Sequence, residues 1–293
     1  MATTITKATL DPKMVSEMFT KVNGHSALAK LSAQKPIAFN GNEVMTFSLD
    51  GEAAIVGEGE NKPAGSAVVA PVTITPIKFV YQHRVSDEFV RASDENAIPY
   101  LQAFTEGFAA KIARGLDIAA LHGLNPATAT TATSVSGKSF DTLVTQTVTY
   151  SAAAADDNID DAVAAIQAED GVINGIAMST DFAAALSKIK ANNVSQYPEF
   201  RFGANPATFS GIPSDVNTTI AFGSSKDKAI VGDFVNAFRW GYAASIPLEV
   251  IQYGDPDGLG DLKRMNQVVL RSEAYIGWGI LDASSFCRIV AGS

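Results

Sequence analysis

The chain is poor in the residues that usually carry chemistry. It holds one cysteine, Cys287, and three histidines, His25, His83 and His122. A single thiol excludes an internal disulfide framework and any thiolate metal cluster built by one chain. Basic residues are also scarce: 22 Lys and Arg stand against 31 Asp and Glu, a formal net charge of -9. Phosphate neutralisation needs clustered Lys and Arg, so this balance argues against a sequence-specific nucleic-acid binder. It does not argue against a container for nucleic acid, because a weakly acidic wall repels a polyanion instead of tacking it down. No stretch approaches 18 apolar residues, and the start, MATTITKATLDPK, has no apolar run of a signal peptide. The sequence therefore predicts neither a secretory leader nor a membrane span, and cytoplasmic synthesis is the expectation.

Catalytic motifs are missing too. There is no GxSxG elbow and no HExxH pair. The stretch Ala132-Thr133-Ser134-Val135-Ser136-Gly137-Lys138-Ser139 resembles the end of a P-loop, but it lacks the first glycine and follows no hydrophobic strand. It reads as a polar loop. Gly57-Glu58-Gly59-Glu60-Asn61-Lys62 fails the dinucleotide pattern because Lys62 stands where the third glycine belongs. Asp255, Asp257 and Asp261 surround Gly258 and Gly260, yet Leu259 takes a calcium-ligand position and Asn266 replaces the closing glutamate. A solvated acidic turn is the better reading. Cys287, between Phe286 and Arg288, reads as a small buried hydrophobe near the end of the final strand. The expectation is a structural protein, not an enzyme, with no cofactor and no metal.

Hydrophobic residues make up 46% and charged residues 18%, so the chain is globular. Residues 1 to about 36 read as an arm. Asp11-Pro12 opens a short helix whose Val15, Met18, Phe19 and Val22 form one stripe. A stripe that short must lie on another surface, its own chain's or a neighbour's, which makes Met18 and Phe19 candidate arm contacts. Residues 43–49 alternate, with Met45, Phe47 and Leu49 on one side. The Gly- and Glu-rich stretch 50–66 reads as the tip of a long hairpin, and 67–86 as its return strand. The apolar phase slips after Pro76, which predicts a bulge or kink in an edge strand. Such a projection exposes edge groups that monomers hide.

A spine helix is expected from Ala97 to His122, with Ile98, Leu101, Phe104, Phe108, Ile112, Leu116 and Ala119 in one stripe and Gly123 as its stop. About 140–252 reads as a compact α/β block: a helix opened by Asp156 and Asp157, a strand at 173–178, a helix capped by Ser179 or Thr180, and strands at 229–235 and 246–252. The segment 267–281 alternates along nearly its whole length, longer than the usual five or six residues.

In order along the chain, several stretches resemble the Hong Kong 97-type major capsid proteins of tailed phages. Val56 to Pro63 and then Pro76-Ile77-Lys78-Phe79 look like the extended loop and its return. Ser86 to Val90, followed by Asp117 to Gly123, look like the spine segment. Met178-Ser179, Leu186 to Lys190, Phe209 to Pro213 and Val231 to Phe234 fall where the axial domain is expected. Val269 to Ala274 and Ser285-Phe286 look like the closing strand. Together they cover about residues 35–290.

The resemblance implies a mixed α+β fold: an N-terminal arm (1–36), an extended loop hairpin (37–80), a peripheral domain with the spine helix (81–125), an axial domain (126–255) and a closing segment (256–293). It implies a virion protein, made and assembled in the host bacterial cytoplasm. Its pentamers and hexamers would close an icosahedral shell around double-stranded DNA, which touches the wall without sequence-specific contact. Glu58, Glu60 and Lys62 are the expected inter-subunit residues of the extended loop. Since the hairpin begins by about residue 43, a separate scaffolding protein is expected, with a portal and in some relatives a decoration protein. Two other readings stand beside this one. An encapsulin-type nanocompartment shares the fold but encloses protein cargo, and an α/β enzyme with a cryptic site would form no particle.

Overall fold

The computed structural model describes residues 26–50, 53–88, 94–244 and 248–292. The arm stripe with Met18 and Phe19 lies outside those residues, as does His25. The first described element is a single helical turn, α1 (Ala27–Leu31), capped by Ser26, whose hydroxyl accepts the Ala29 N–H at 3.0 Å. Ala27, Leu28, Ala29 and Leu31 are all buried, so the end of the arm packs on its own chain.

The alternating stretch forms β1 (Asn42–Asp50), paired antiparallel with β2 (Ser66–Ile74) as a two-stranded ribbon. The return strand is not one kinked strand, as Pro76 suggested. It stops at Ile74, and β3 (Ile77–Ser86) begins in a different sheet. The phase slip marks a change of sheet, because Pro76 has no N–H to continue the first ladder.

The spine helix is α2 (Asp94–His122), 29 residues and about 44 Å long. Phe108, Ile112, Leu116 and Ala119 are buried as their spacing predicts, while the side chains of Ile98 and Leu101 lie outside the described residues. Ala109, Ala113 and Ala120 are buried as well, so small residues widen the stripe and let neighbours approach closely. Gly123 ends the helix at φ +66, donating its N–H to Ala119 O at 3.0 Å. The P-loop-like stretch folds into a 3-10 turn (Ser136–Lys138) and the short helix α3 (Phe140–Leu143).

Next come β4 (Thr147–Tyr150), α4 (Ala155–Gln167), β5 (Gly175–Met178) and α5 (Thr180–Lys188), the last capped by Ser179, whose hydroxyl accepts the Phe182 N–H. A small hairpin, β6 (Lys190–Ala191) and β7 (Val194–Ser195), precedes β8 (Thr208–Phe209), β9 (Ile212–Val216) and β10 (Asp227–Gly232). The chain ends with β11 (Phe238–Tyr242), β12 (Leu248–Ile251), β13 (Gln267–Ile280) and β14 (Phe286–Ala291). The final strand is therefore two strands, and Cys287 is fully buried in the second.

A six-stranded sheet runs in the order β4-β14-β10-β5-β9-β8. Its central strands are buried on both faces, because residues alternate between two cores. Ile176, Met178, Val231, Cys287 and Ile289 face α4 and α5 through Ile159, Ile166, Phe182 and Leu186. Ala177, Ile230 and Phe286 face the other way, into the core that holds the spine helix.

The second sheet is built on β13, with β3 along one edge and β12 then β11 along the other. β12 and β11 fall inside the stretch 126–255 by sequence, but they pair with β13 and not with the six-stranded sheet. Trp240, Tyr242, Ile276 and Trp278 point from this sheet into the spine-helix core. Phe140, Phe234, Phe238 and Phe286 pack as a ring cluster between the two sheets, with Phe140 and Phe286 edge to face at 5.0 Å. Rings in that geometry add about 0.5–1.5 kcal/mol per pair to their burial.

Candidate assembly surface

Where β11 pairs with β13, the opposite face of the second sheet is thinned by glycine. Gly241 and Gly277 are cross-strand partners, and Gly279 follows on the same face. The chain uses this smooth floor twice. The extended segment 35–37 lies on it, with Lys35 N–H bonded to Trp240 O at 2.9 Å and Ile37 N–H to Tyr242 O at 3.2 Å. A β-carbon on Gly241 would collide with Lys35 O. Ile74, fully buried, and Val72 then rest over Gly279 and seat the root of the ribbon. Lys138 Nζ donates to Thr75 Oγ1 beside that root.

Beyond the root the ribbon leaves the body. Its register places Met45 opposite Pro71 and Phe47 opposite Val69, so four apolar side chains share one face. That face is open to solvent: Met45 is 63% exposed, Phe47 64% and Val69 52%. A two-stranded ribbon is marginal alone, and an exposed apolar face with two free edges marks a surface meant to be covered. The alternation is legible in the sequence, and the structure turns its apolar face outward.

Glu58, Glu60 and Lys62 are all exposed in the loop that joins β1 to β2. Gly57 and Glu60 close a turn there, with Glu60 N–H bonded to Gly57 O at 3.2 Å and Gly57 N–H donated to Glu60 Oε2 at 3.0 Å. Gly59 supplies the left-handed residue, φ +86, that this turn requires.

Three polar clusters hold the body that carries the ribbon, and none was found in the sequence. In the first, Asp117 on α2 accepts four donors: Ser26 Oγ at 2.5 Å, Thr219 Oγ1 at 2.8 Å, Ala27 N–H at 2.9 Å and Leu28 N–H at 3.3 Å. The spine helix thus caps the arm helix. Burial pushes the Asp117 carboxyl up to about 6, against the pull of those four bonds.

In the second, the acidic turn at 255–261 wraps a cation. Arg84 on β3 reaches Asp257 Oδ2 with Nε at 2.7 Å, Gly260 O with Nη2 at 2.8 Å, and Gln267 Oε1 with Nη1 at 3.0 Å. Asp255 Oδ1 lies 3.2 Å from the same guanidinium. The Arg84 hydrogen bond holds the Asp257 carboxyl well below the usual carboxylate range. The turn read as solvated is a pincer around Arg84.

The third gathers His122, Asp141, Asp227 and Arg288 where α2, α3, β10 and β14 meet. His122 Nδ1 lies 3.0 Å from Asp141 Oδ2, and its Nε2 lies 2.8 Å from Thr219 O. Arg288 donates to Asp227 Oδ1 at 2.9 and 3.1 Å. Burial, then the Asp141 charge, push the Asp227 carboxyl up to about 7. Burial alone would lower His122, but the hydrogen bond and charge of Asp141 prevail and raise it. A His–Asp pair suggests hydrolytic chemistry, but Nε2 faces a carbonyl and no hydroxyl or thiol among the described residues bonds to the ring. His83 is exposed on β3.

Comparison with known proteins agrees along nearly the whole chain. A structure from Mycobacterium phage Ogopogo has a TM-score of 0.77 at 31% identity, covering 92% of this chain and 92% of that one. One from Gordonia phage Cozz has a TM-score of 0.74 at 25% identity, covering 91% and 86%. The probable major capsid protein gp17 of Mycobacterium phage D29 is 28% identical over 120 residues, 41% of this chain and 37% of that protein's length. At 13% identity, the capsid of a native GTA particle shares the fold alone, with a TM-score of 0.65 and coverage of 100% and 96%. The mixed α+β architecture is the Hong Kong 97-type capsid fold that the sequence resembles. The phage capsid family itself matches residues 6–291, and the chain belongs to that family.

Proposed function

We propose that the protein is the major capsid protein of a tailed phage, assembling as pentamers and hexamers into an icosahedral head shell around double-stranded DNA. The observation that carries this reading is the ribbon β1-β2, whose apolar face of Met45, Phe47, Val69 and Pro71 stays exposed, with no cover among the described residues. A neighbouring copy supplies that cover, and the tip residues Glu58, Glu60 and Lys62 reach across the same boundary. Many weak identical contacts suffice, because closure of the shell makes them cooperative.

Family membership supports self-association and a place in the virion. The net charge of -9 supports a wall that holds DNA without binding its sequence. A scaffolding protein, a portal and an optional decoration protein complete the partners in this reading, and assembly takes place in the host cytoplasm. No helix among the described residues is long and apolar enough to cross a membrane. We assign no catalytic role to any residue.

Size-exclusion chromatography with light scattering, backed by electron microscopy, tests the reading. Capsomers, tubes or megadalton shells are expected. The double change Glu58→Lys and Glu60→Lys should leave a folded monomer that no longer closes shells. A wild-type monomer that stays monomeric with crowding agent and scaffold would sink the reading, and shells filled with protein cargo would move it to the encapsulins.

A further inference from the structure

Among the described residues, one group outside the assembly surface has the donor chemistry of a metal site: His122, Asp141 and Asp227, with one donor atom from each within 4.8 Å of the others. The ring's tautomer is dictated by its neighbour. Thr219 O can only accept, so His122 Nε2, 2.8 Å away, carries a hydrogen. In the neutral ring Nδ1 is then a bare lone pair, 3.0 Å from a second acceptor, Asp141 Oδ2.

Asp227 is fully buried, and while its Oδ1 takes the Arg288 donors, its Oδ2 has no partner. Two carboxylates against one guanidinium leave a formal excess of negative charge. Arg288 Nη2 serves both carboxylates, 2.9 Å from Asp227 Oδ1 and 3.3 Å from Asp141 Oδ1, but Asp227 Oδ2 and, in the neutral ring, His122 Nδ1 are left without a donor, which is costly in a buried place.

We propose that His122, Asp141 and Asp227 bind one divalent transition-metal ion of the zinc type. One imidazole nitrogen and two carboxylates suit such an ion, with water as the fourth ligand. Thr219 O fixes the ligating tautomer from outside, and Arg288 orients the carboxylates in the same way. Bonds of about 2 Å would part Nδ1 and Asp141 Oδ2 by only a few tenths of an ångström. Asp141, partly exposed, is the side from which the ion enters. The ion ties the end of the spine helix to β10 of the six-stranded sheet. All ligands come from one chain, so the site does not depend on the assembly reading.

The test uses the full chain, stripped with a chelator, loaded with Zn2+ or Co2+ and desalted. One ion per chain by mass spectrometry is expected, with visible Co2+ absorption of a nitrogen–oxygen site. The melting temperature should rise with metal and fall back with chelator. Asp141→Asn and Asp227→Asn should lose the ion, and His83→Ala, at an exposed position, should keep it. Should the buried Asp227 variant fail to fold, wild-type stoichiometry and the Asp141 variant decide. Substoichiometric metal in the wild type, uptake unchanged in Asp141→Asn, or an imidazolium His122 by 15N NMR in metal-treated protein would each overturn the proposal.

Discussion

Ile74 lies so close over Gly279 that a β-carbon on the glycine would stand 2.9 Å from Ile74 Cγ1. The contact joins the last residue of the ribbon to the strand at the centre of the second sheet. It explains a glycine in a long strand, where glycine otherwise weakens pairing.

Replacing Gly279 with valine should therefore lift the ribbon off its floor. Overpacking of this kind costs about 1–3 kcal/mol. Urea unfolding should show that loss, and light scattering should show fewer shells. Wild-type stability in the variant would mean that the root does not rest on Gly279.

Asp117 gives a pH dependence with a definite sign. Its folded-state carboxyl sits at about 6, above the about 3.9 of an unfolded chain. The folded protein therefore binds the proton more tightly, and this contribution is fully present below about pH 4 and lost as pH rises through about 6. Asp117→Ala should remove that slope and strand four donors, costing about 1–3 kcal/mol at neutral pH. Unfolding curves at pH 4, 5, 6 and 7 check both; an unchanged slope in the variant would assign it to another group.

The pincer around Arg84 predicts a local effect. Arg84→Ala should free the 253–266 turn, and trypsin should then cut faster after Lys263 and Arg264. Arg84→Lys should not restore protection, because one ammonium cannot serve Asp257, Gly260 O and Gln267 together. Equal cleavage rates in all three proteins would show that the turn holds its shape without the cation.

The parts of the fold legible in sequence are those written in a repeating period. The alternation at 267–280 became β13 over its whole length, and the three-four spacing of the spine became α2. A period reports which residues share a face, but not what the face meets. Hence the alternation puts Met45 and Phe47 on one apolar face without saying that the face is exposed, and the phase slip at Pro76 predicts a kink where the structure changes sheet. β11 was missed because FRWGY is short and carries a glycine whose reason, the segment at Lys35, lies far away in the chain. The break between β13 and β14 did have a local signal, Asp282, which accepts Ser284 N–H at 3.0 Å in a tight turn. The polar clusters had none. Arg84 and Asp257 are 173 residues apart, and His122 and Thr219 are 97 apart. Such partners meet only after the sheets have formed.

The change of sheet at Pro76 also makes the ribbon a lever. Its nine-residue strands span about 30 Å, while its bearing is short: Ile74 and Val72 on one side, and Gly41 at φ +89 where the chain enters on the other. A tilt of roughly 10° at that bearing would swing the tip by about 5 Å over such a length. One sequence can then reach a partner at several angles, and the glycine floor under Ile74 sets how far it leans.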